Sequence, residues 1–120
     1  MMAGHLQQGE AAEQRALDYL TGRGLRLLQR NYRCKAGEID LIMQESDCLV
    51  FVEVRYRQSN DFGVALETVT GHKQRKLLAT ANRYLQSTGA DAPCRFDVIA
   101  LNGSGPTRIE WIKNAIQTHW

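Results

Sequence analysis

Cysteine and proline are scarce in this chain of 120 residues, which has three cysteines and two prolines. The cysteines are odd in number, lie far apart and include no CxxC pair, which excludes a disulfide framework and a thiolate zinc site. The three histidines also lack the spacing of zinc ligands. We therefore expect a reduced protein and place it in the cytoplasm.

Long apolar runs and a strong excess of one charge are also absent. No apolar stretch approaches the ~20 residues that cross a bilayer, and the start of the chain lacks the basic and apolar segments of a signal peptide. The formal net charge of +2 permits a polyanionic partner without requiring one. Hydrophobic and charged shares of 43% and 23% exclude a disordered tail or a coiled coil. We therefore treat 1–120 as a single domain without a membrane association.

The pattern of apolar residues predicts a helix, three strands, a second helix and two further strands, with a short helix at the end. The expected helices cover 5–22, about eighteen residues that follow a Thr70 cap, and 113–120; the expected strands cover 25–33, 37–44, 48–57, 94–101 and 107–112. This order predicts a mixed α/β sheet flanked by two helices, with one parallel crossover through the second helix.

Two acidic residues are expected to face each other across the hairpin of the second and third strands. If Ser46 and Asp47 form a two-residue turn, paired positions sum to 93 and Asp40 lies opposite Glu53. A four-residue turn keeps this register, whereas an odd number of turn residues moves Asp40 to the other face. Directly opposed side chains lie about 4.5–5.5 Å apart at Cβ, and two carboxylates so close need a proton or a cation between them.

A divalent cation suits such a pair. Magnesium prefers oxygen ligands, usually one or two carboxylates together with phosphate oxygens and water. Arg55 follows Glu53 by two residues and so lies on the same face, which brings together the parts that metal-assisted phosphodiester hydrolysis needs. The alternative is that Asp40 and Glu53 are solvated and that Arg55 pairs with Glu38 on the neighbouring strand.

Five blocks of the sequence, in the same order, resemble a known family. They are GEAAEQRALDYL at 9–20, GEIDLI at 37–42, FVEVRYR at 51–57, HKQRKLL at 72–78 and RFDVIA at 95–100. Together they resemble the YraN family of small bacterial proteins. The D-(x)n-ExK arrangement resembles the PD-(D/E)xK, or restriction-endonuclease-like, superfamily, and the chain is similar to archaeal Holliday-junction resolvases.

The resemblance implies both a fold and an activity. The fold is α/β, a restriction-endonuclease-like mixed sheet of about five strands flanked by helices. The activity is that of a Mg²⁺- or Mn²⁺-dependent endonuclease acting on DNA, including branched or structured DNA. By the same resemblance Asp40 and Glu53 match the metal-binding acidic residues. Glu10, in the first helix, matches the glutamate that resolvase-like members add to the metal site.

Arg55 departs from the superfamily pattern, because it stands where a lysine is usual. A guanidinium stays protonated and cannot pass on a proton, although it still supplies positive charge to a phosphate. Water activation would then rest on the metal with Glu53 or Glu10 as proton acceptor, or on Lys73 reaching in from the second helix. Gln74, beside Lys73, matches the supporting polar residue that related nucleases often place on this helix.

Basic residues are concentrated near the proposed site and can follow a nucleic-acid backbone without reading its sequence. The candidates for such contacts are Arg30, Arg33, Lys35, Arg57, Arg75 and Lys76. The alternative is that they form an ordinary solvated face. Tyr32, Tyr56 and Phe62 are either stacking surfaces for unpaired bases or packing residues.

Two other functions fit the same sequence. One is a non-catalytic nucleic-acid-binding module on the same fold, which Arg55 favours; the other is an adaptor that docks a protein partner through a sheet edge or its Trp-bearing tail. A homodimer would suit a protein that acts on two symmetry-related strands.

Asp97, which alternates with Arg95, either faces the site or pairs with an arginine, and we expect the pair.

Overall fold

The computed structural model describes residues 2–57, 70–103 and 108–116, with side chains from residue 9 onward except that of Arg57. These residues form two helices and five strands: α1 Met2–Gly22, β1 Arg26–Cys34, β2 Gly37–Glu45, β3 Cys48–Arg57, α2 Gly71–Thr88, β4 Cys94–Asn102 and β5 Arg108–Ile116. The predicted elements are confirmed up to β4. No helix among the described residues is long and apolar enough to cross a membrane.

The predicted helix over 113–120 is wrong, because the described part of that range continues β5 as far as Ile116. Asn114 takes a φ of 53°, and its backbone N–H donates to the Asp97 carboxylate at 2.9 Å. The chain bulges there and resumes pairing, so that Ile116 is buried opposite Phe96. This burial stabilises an extended conformation that the local sequence does not indicate.

The five strands form one sheet in the order β1-β2-β3-β4-β5. Only the β3–β4 pair is parallel, and α2 makes the crossover between these strands, as predicted. The helices cover opposite faces. The core on the α1 face consists of Ala12, Ala16, Leu17, Leu20, Leu25, Leu41, Met43, Val50, Val52, Ile99 and Leu101. The core on the α2 face consists of Ile39, Ile42, Leu49, Phe51, Leu77, Ala81, Tyr84, Phe96, Val98 and Ile116. This mixed sheet with flanking helices is consistent with a restriction-endonuclease-like fold.

The predicted register of the β2–β3 hairpin is confirmed. Glu45 pairs with Cys48 and Leu41 with Val52, so that paired positions sum to 93 around the two-residue turn, in which Ser46 takes a φ of 54°. Among the described residues, the two strands make no backbone pair beyond Leu41 and Val52. Residues 37–39 pair with β1 and residues 53–57 with β4. The strands therefore diverge, and residues 37–40 and 53–57 bound what we call the β2–β3 cleft.

Helix α2 begins where the sequence predicts. The Thr70 hydroxyl accepts a hydrogen bond from the Lys73 backbone N–H at 3.3 Å, which satisfies one of the free donors of the first turn. At the other end Gly89 has a φ of 68° and its N–H donates to Leu85, a common way of ending a helix. The first turn of α2 lies beside the β2–β3 cleft, since His72 and Lys73 line one cavity with Asp40 and Glu53.

Candidate functional site

Asp40 lies at the point where β2 and β3 diverge. Its Oδ2 accepts the backbone N–H of Val54 at 2.8 Å, and its carboxyl lies close enough to that of Glu53 to raise the pKa of Asp40. The hairpin thus brings the two predicted acidic residues into contact. A side-chain oxygen of β2 reaches the N–H of β3 here, because the backbone ladder has already ended.

Burial and Glu53 together raise the pKa of Asp40. Loss of water around the carboxyl is the largest cause; the hydrogen bond to Glu53 and the charge of Glu53 come next, and Glu13 adds a small effect in the same direction. The Val54 N–H acts the other way, and the result is a pKa of about 9. Asp40 therefore holds its proton more tightly than a free carboxyl does, as expected where a second carboxyl lies against a buried one.

Glu53 is buried and holds two cationic side chains. Its exposed fraction is 6%, and its Oε2 lies 3.2 Å from Arg55 Nη2 and 3.2 Å from Lys73 Nζ. The alternative of a solvated face is therefore wrong for Glu53, and Arg55 does not pair with Glu38. That glutamate pairs with Arg33 at 3.2 Å.

Arg55 retains an unused donor inside the site. The side chain is 22% exposed, and its Nε is buried without a hydrogen-bond partner among the described residues. A buried N–H without an acceptor costs free energy, and this cost is relieved when a ligand oxygen reaches it. Arg55 Nε is thus a buried donor without an acceptor among the described residues, while Nη2 is held on Glu53.

Two cavities meet at Asp40, one on each face of the sheet. The cavity on the α2 face has a volume of about 480 Å³, and Glu53, His72, Lys73 and Lys76 are among its lining residues. A groove on the α1 face, of about 850 Å³, is bounded by α1, β1 and the end of β3. Asp40 lines both.

Glu10 lies in the α1-side groove with Asp40, is exposed, and does not line the cavity that contains Glu53. Among the described residues there is no group of three or more His, Cys, Asp or Glu side chains that could hold a metal ion. The structure thus brings Asp40 and Glu53 together, and the role of Glu10 stays a prediction.

Sequence reasoning missed Glu13, which lies one turn after Glu10 on α1 and faces the same groove. Its Oε1 accepts from Asn31 Nδ2 at 3.0 Å and from Arg30 Nη2 at 3.4 Å, and its charge raises the pKa of Asp40. The available signal was its spacing of three residues from Glu10, which puts both on one helix face.

The two residues expected on α2 differ in position. Lys73 contacts Glu53 directly. Gln74 is half-buried, and among the described residues it does not line the cavity that contains Glu53. A supporting role for Gln74 stays a prediction.

Most of the basic residues predicted to contact nucleic acid are at the surface. The exposed ones are Arg30, Arg33, Lys35, Arg75 and Lys76. Arg30 and Arg33 line the α1-side groove, and Lys76 lines the α2-side cavity. Arg57 is the last residue of β3, and its side chain lies outside the described part of the chain.

The three aromatic candidates for stacking lie in different surroundings. Tyr32 is a packing residue, since its ring meets that of Tyr84 edge-on at 5.3 Å between centroids. Phe62 lies outside the described residues. Tyr56 is 37% exposed and lines the α1-side groove.

Comparison with known proteins identifies a family and shows a distant structural likeness. A family model described as "Uncharacterised protein family UPF0102" matches residues 12–101. A UPF0102 protein of Pseudomonas entomophila (strain L48) is 54% identical over 113 residues, covering 91% of this chain and 92% of the relative. One of Nitrosococcus oceani is 50% identical over 118 residues, covering 96% and 95%. Among solved structures, SfsA of Pyrococcus furiosus in complex with Ca²⁺ matches with a TM-score of 0.37 and 12% identity, over 95% of this chain and 65% of that one.

Proposed function

The chain belongs to the UPF0102 (YraN) family, and from that premise we propose that it is a divalent-metal-dependent endonuclease acting on DNA, including branched or structured DNA. The observation that carries the proposal is the contact between the Asp40 and Glu53 carboxyls at the β2–β3 cleft, with Lys73 and Arg55 held on Glu53. Two acids and two cations in one cleft supply both a cation site and a phosphate site.

The donor set fits Mg²⁺ or Mn²⁺. Asp40 and Glu53 would hold the ion through carboxylate oxygens, which hard divalent cations prefer, and waters and substrate oxygens usually complete such a site. Glu10, which shares a groove with Asp40, is the proposed third ligand. A cation bound there lowers the pKa of the attacking water and offsets the charge that develops on the phosphate.

Arg55 would orient the scissile phosphate. Its Nη2 is fixed by Glu53 at 3.2 Å, while its buried Nε has no acceptor among the described residues. A phosphate oxygen that reaches this N–H gains a charge-assisted hydrogen bond from a group already held in place. The guanidinium keeps its proton throughout, so that its role is electrostatic.

Lys73 takes the part of the chemistry that Arg55 cannot perform. An ammonium, unlike a guanidinium, can lose its proton and can therefore help to deprotonate or position a water. Lys73 Nζ lies 3.2 Å from Glu53 Oε2, so that the helix supplies a lysine at the carboxylate where the strand supplies an arginine. Glu53 positions this lysine, and Lys73 in its neutral form would accept the proton of the water.

The surrounding charges favour a nucleic acid over a small phosphate ester. Arg75 and Lys76 are exposed on α2, and Lys76 lines the cavity that contains Glu53. Such contacts give salt-dependent affinity for the backbone without sequence preference. The three cysteines are free thiols, which suits a location in the reducing cytoplasm. We also propose that a homodimer is the form that acts on paired strands.

Cleavage of end-labelled single-stranded, duplex, flap and four-way-junction DNA tests the proposal. Each substrate is incubated with EDTA, Mg²⁺ or Mn²⁺, with Glu53→Gln as the inactive variant and Asp47→Asn, in the exposed turn, as the matched control. Cutting that needs metal, is lost in Glu53→Gln and persists in Asp47→Asn supports a nuclease. Cutting that persists in Glu53→Gln at the wild-type rate contradicts the assigned site.

A non-catalytic nucleic-acid-binding module is the second candidate. It is favoured by the two ion pairs of Glu53, which neutralise that carboxylate without a metal, and by the arginine at position 55. In this case DNA binds in a salt-sensitive manner, no metal condition gives cleavage, and Arg55→Lys is the next variant to assay. Absence of both binding and cutting directs attention to a protein partner.

A further inference from the structure

The end of β3 presents different chemistry to the two faces of the sheet. Glu53 and Lys73 line the cavity on the α2 face, and Arg55 is held on Glu53 there. Val54 and Tyr56 line the groove on the α1 face. Because side chains alternate along a strand, β3 presents charged groups to one face and an aromatic ring to the other.

The two sides are connected where β2 and β3 part. Asp40 lines both cavities, and β3 residues from Glu53 onward make no backbone pair with β2 among the described residues. Val54, the residue after Glu53, lines the groove together with Tyr56, so a chain bound at the Asp40–Glu53 pair lies beside this groove. The groove there measures about 850 Å³, within the range of about 300–1,000 Å³ that small-molecule sites occupy.

The charges of the groove do not suit a phosphate. Three glutamates and two arginines line it, and the arginines are already paired: Arg30 lies 3.4 Å from Glu13 and Arg33 lies 3.2 Å from Glu38. Together with Glu10, the lining has no surplus of positive charge. An uncharged, flat and polar ligand suits the groove, and a nucleobase has these properties.

Tyr56 supplies the surface on which such a base would stack. Its exposed fraction of 37% is high for a large aromatic residue in a strand, and it lies in the groove rather than in either core. Stacking of bases on exposed aromatic rings is how proteins commonly bind unpaired nucleotides, and it requires a base released from the duplex.

We propose that the α1-side groove binds one unpaired base, stacked on Tyr56, next to a phosphate held by Arg55 beside the Asp40–Glu53 pair. The substrates are then DNAs with an unpaired nucleotide at the bound site, such as flaps, forks and open junctions, and a continuous duplex is a poor ligand. The inference rests on the proposed DNA function of this site and adds the class of substrate.

Binding of oligonucleotides that contain the fluorescent base 2-aminopurine tests the groove. The probe is placed at successive positions across the junction of a flap DNA, with EDTA present so that no cleavage interferes. Wild type is expected to change the fluorescence of one unpaired position most strongly. Tyr56→Leu should bind this DNA about 5-fold to 150-fold more weakly, and Tyr56→Phe, which keeps the ring, should retain wild-type affinity.

A second measurement needs no variant. An abasic nucleotide at the position found by the probe should weaken binding of wild-type protein by a similar factor, and abasic nucleotides elsewhere should not. Equal binding by Tyr56→Leu and wild type, or tighter binding of continuous duplex than of flap DNA, overturns the proposal.

Failure of this proposal is distinguishable from failure of the nuclease. Metal-dependent cutting of continuous duplex that is unaffected by Tyr56→Leu leaves the nuclease in place and overturns the base site. Tyr56-dependent binding of an unpaired base, with no cutting under any metal condition, supports the base site and contradicts the catalytic function.

Discussion

The Oδ2 atom of Asp40 accepts the backbone N–H of Val54 at 2.8 Å, at the residue where β2 and β3 cease to pair. In a continued antiparallel ladder a backbone carbonyl of β2 would accept this N–H. The carboxyl takes that place, so that the strands can diverge without leaving the buried donor unpaired. The hydrogen bond from Val54 to Asp40 thus both allows the cleft to open and fixes the position of the Asp40 carboxyl.

Replacing Asp40 by asparagine should stabilise the metal-free protein. The folded state holds the pKa of Asp40 at about 9 against an ordinary value of 3.8, so that between these values it keeps a proton that the unfolded chain has released. The free energy of unfolding of wild type therefore falls as the pH rises through this window. Asparagine does not titrate, still accepts from Val54 and donates to Glu53.

We expect Asp40→Asn at pH 8 to gain about 1 kcal/mol or more in the free energy of unfolding and a few degrees in melting temperature. Denaturant unfolding in EDTA between pH 5 and pH 9 measures this, with Asp47→Asn as the control that should follow wild type. If the free energy of unfolding of Asp40→Asn and of wild type changed with pH in the same way, the raised pKa of Asp40 in the folded state would be contradicted.

Metal binding should also depend on Asp40 and Glu53. Substitutions at these positions should abolish the stabilisation that a bound metal gives. A ligand that binds only the folded state stabilises it, by about 2.7 kcal/mol at a concentration 100 times the dissociation constant. Mn²⁺ should therefore raise the melting temperature of wild type and leave Asp40→Asn and Glu53→Gln unchanged. Glu10→Gln should keep a reduced shift, because Glu10 is exposed and lies only on the Asp40 side. A full wild-type shift in Asp40→Asn would contradict the metal site.

The register of the hairpin was predictable because its turn and its alternation are local. The two-residue turn fixes which residues oppose each other, and a shift of one residue would move Val52 from the α1-face core to the face that α2 covers. The divergence of the strands beyond Leu41 was not predictable, since it depends on pairing with β1 and β4, both distant in sequence. The contact between Lys73 and Glu53 likewise depends on where α2 docks, which the sequence of the helix alone does not specify.

Lys73 should matter for cleavage more than for DNA binding. Its Nζ is held on Glu53, so that Lys73→Ala removes the group proposed to handle the proton and should slow single-turnover cleavage by about 100-fold. Affinity for DNA should change by less than about five-fold. Arg83→Ala, an exposed residue further along the same helix, is the control. A large loss of affinity with an unchanged rate would assign Lys73 to binding instead.

The salt dependence of DNA binding should identify which basic residues contact phosphates. Lys76 lines the α2-side cavity, and each phosphate contact contributes about 0.9 to the slope of log affinity against log salt. Lys76→Ala should therefore lower the slope by about this amount. Arg26→Ala, near the β2–β3 turn and paired with Gln44 at 2.7 Å, should keep the wild-type slope. Equal slopes for wild type, Lys76→Ala and Arg26→Ala would show that Lys76 does not contact a DNA phosphate.

Asp97 should be needed for the stability of the C-terminal strand. The expected ion pair is present, with Arg95 Nε 3.1 Å from Asp97 Oδ1, and the same carboxylate accepts from Trp111 Nε1 at 2.9 Å and from the Asn114 N–H at 2.9 Å. Asp97 is fully buried, so that Asp97→Ala leaves these donors without their acceptor.

The expected loss in Asp97→Ala is about 3 kcal/mol in the free energy of unfolding. Asp97→Asn, which keeps the shape and one acceptor, should lose about half as much. Urea unfolding followed by tryptophan fluorescence measures both, since Trp111 reports on the lost hydrogen bond. Because the carboxylate fixes the bulge that lets β5 resume pairing at Ile116, hydrogen exchange of β5 should rise more than that of β2. Equal protection of the two strands in Asp97→Ala would show that β5 is held by the burial of Ile116 alone.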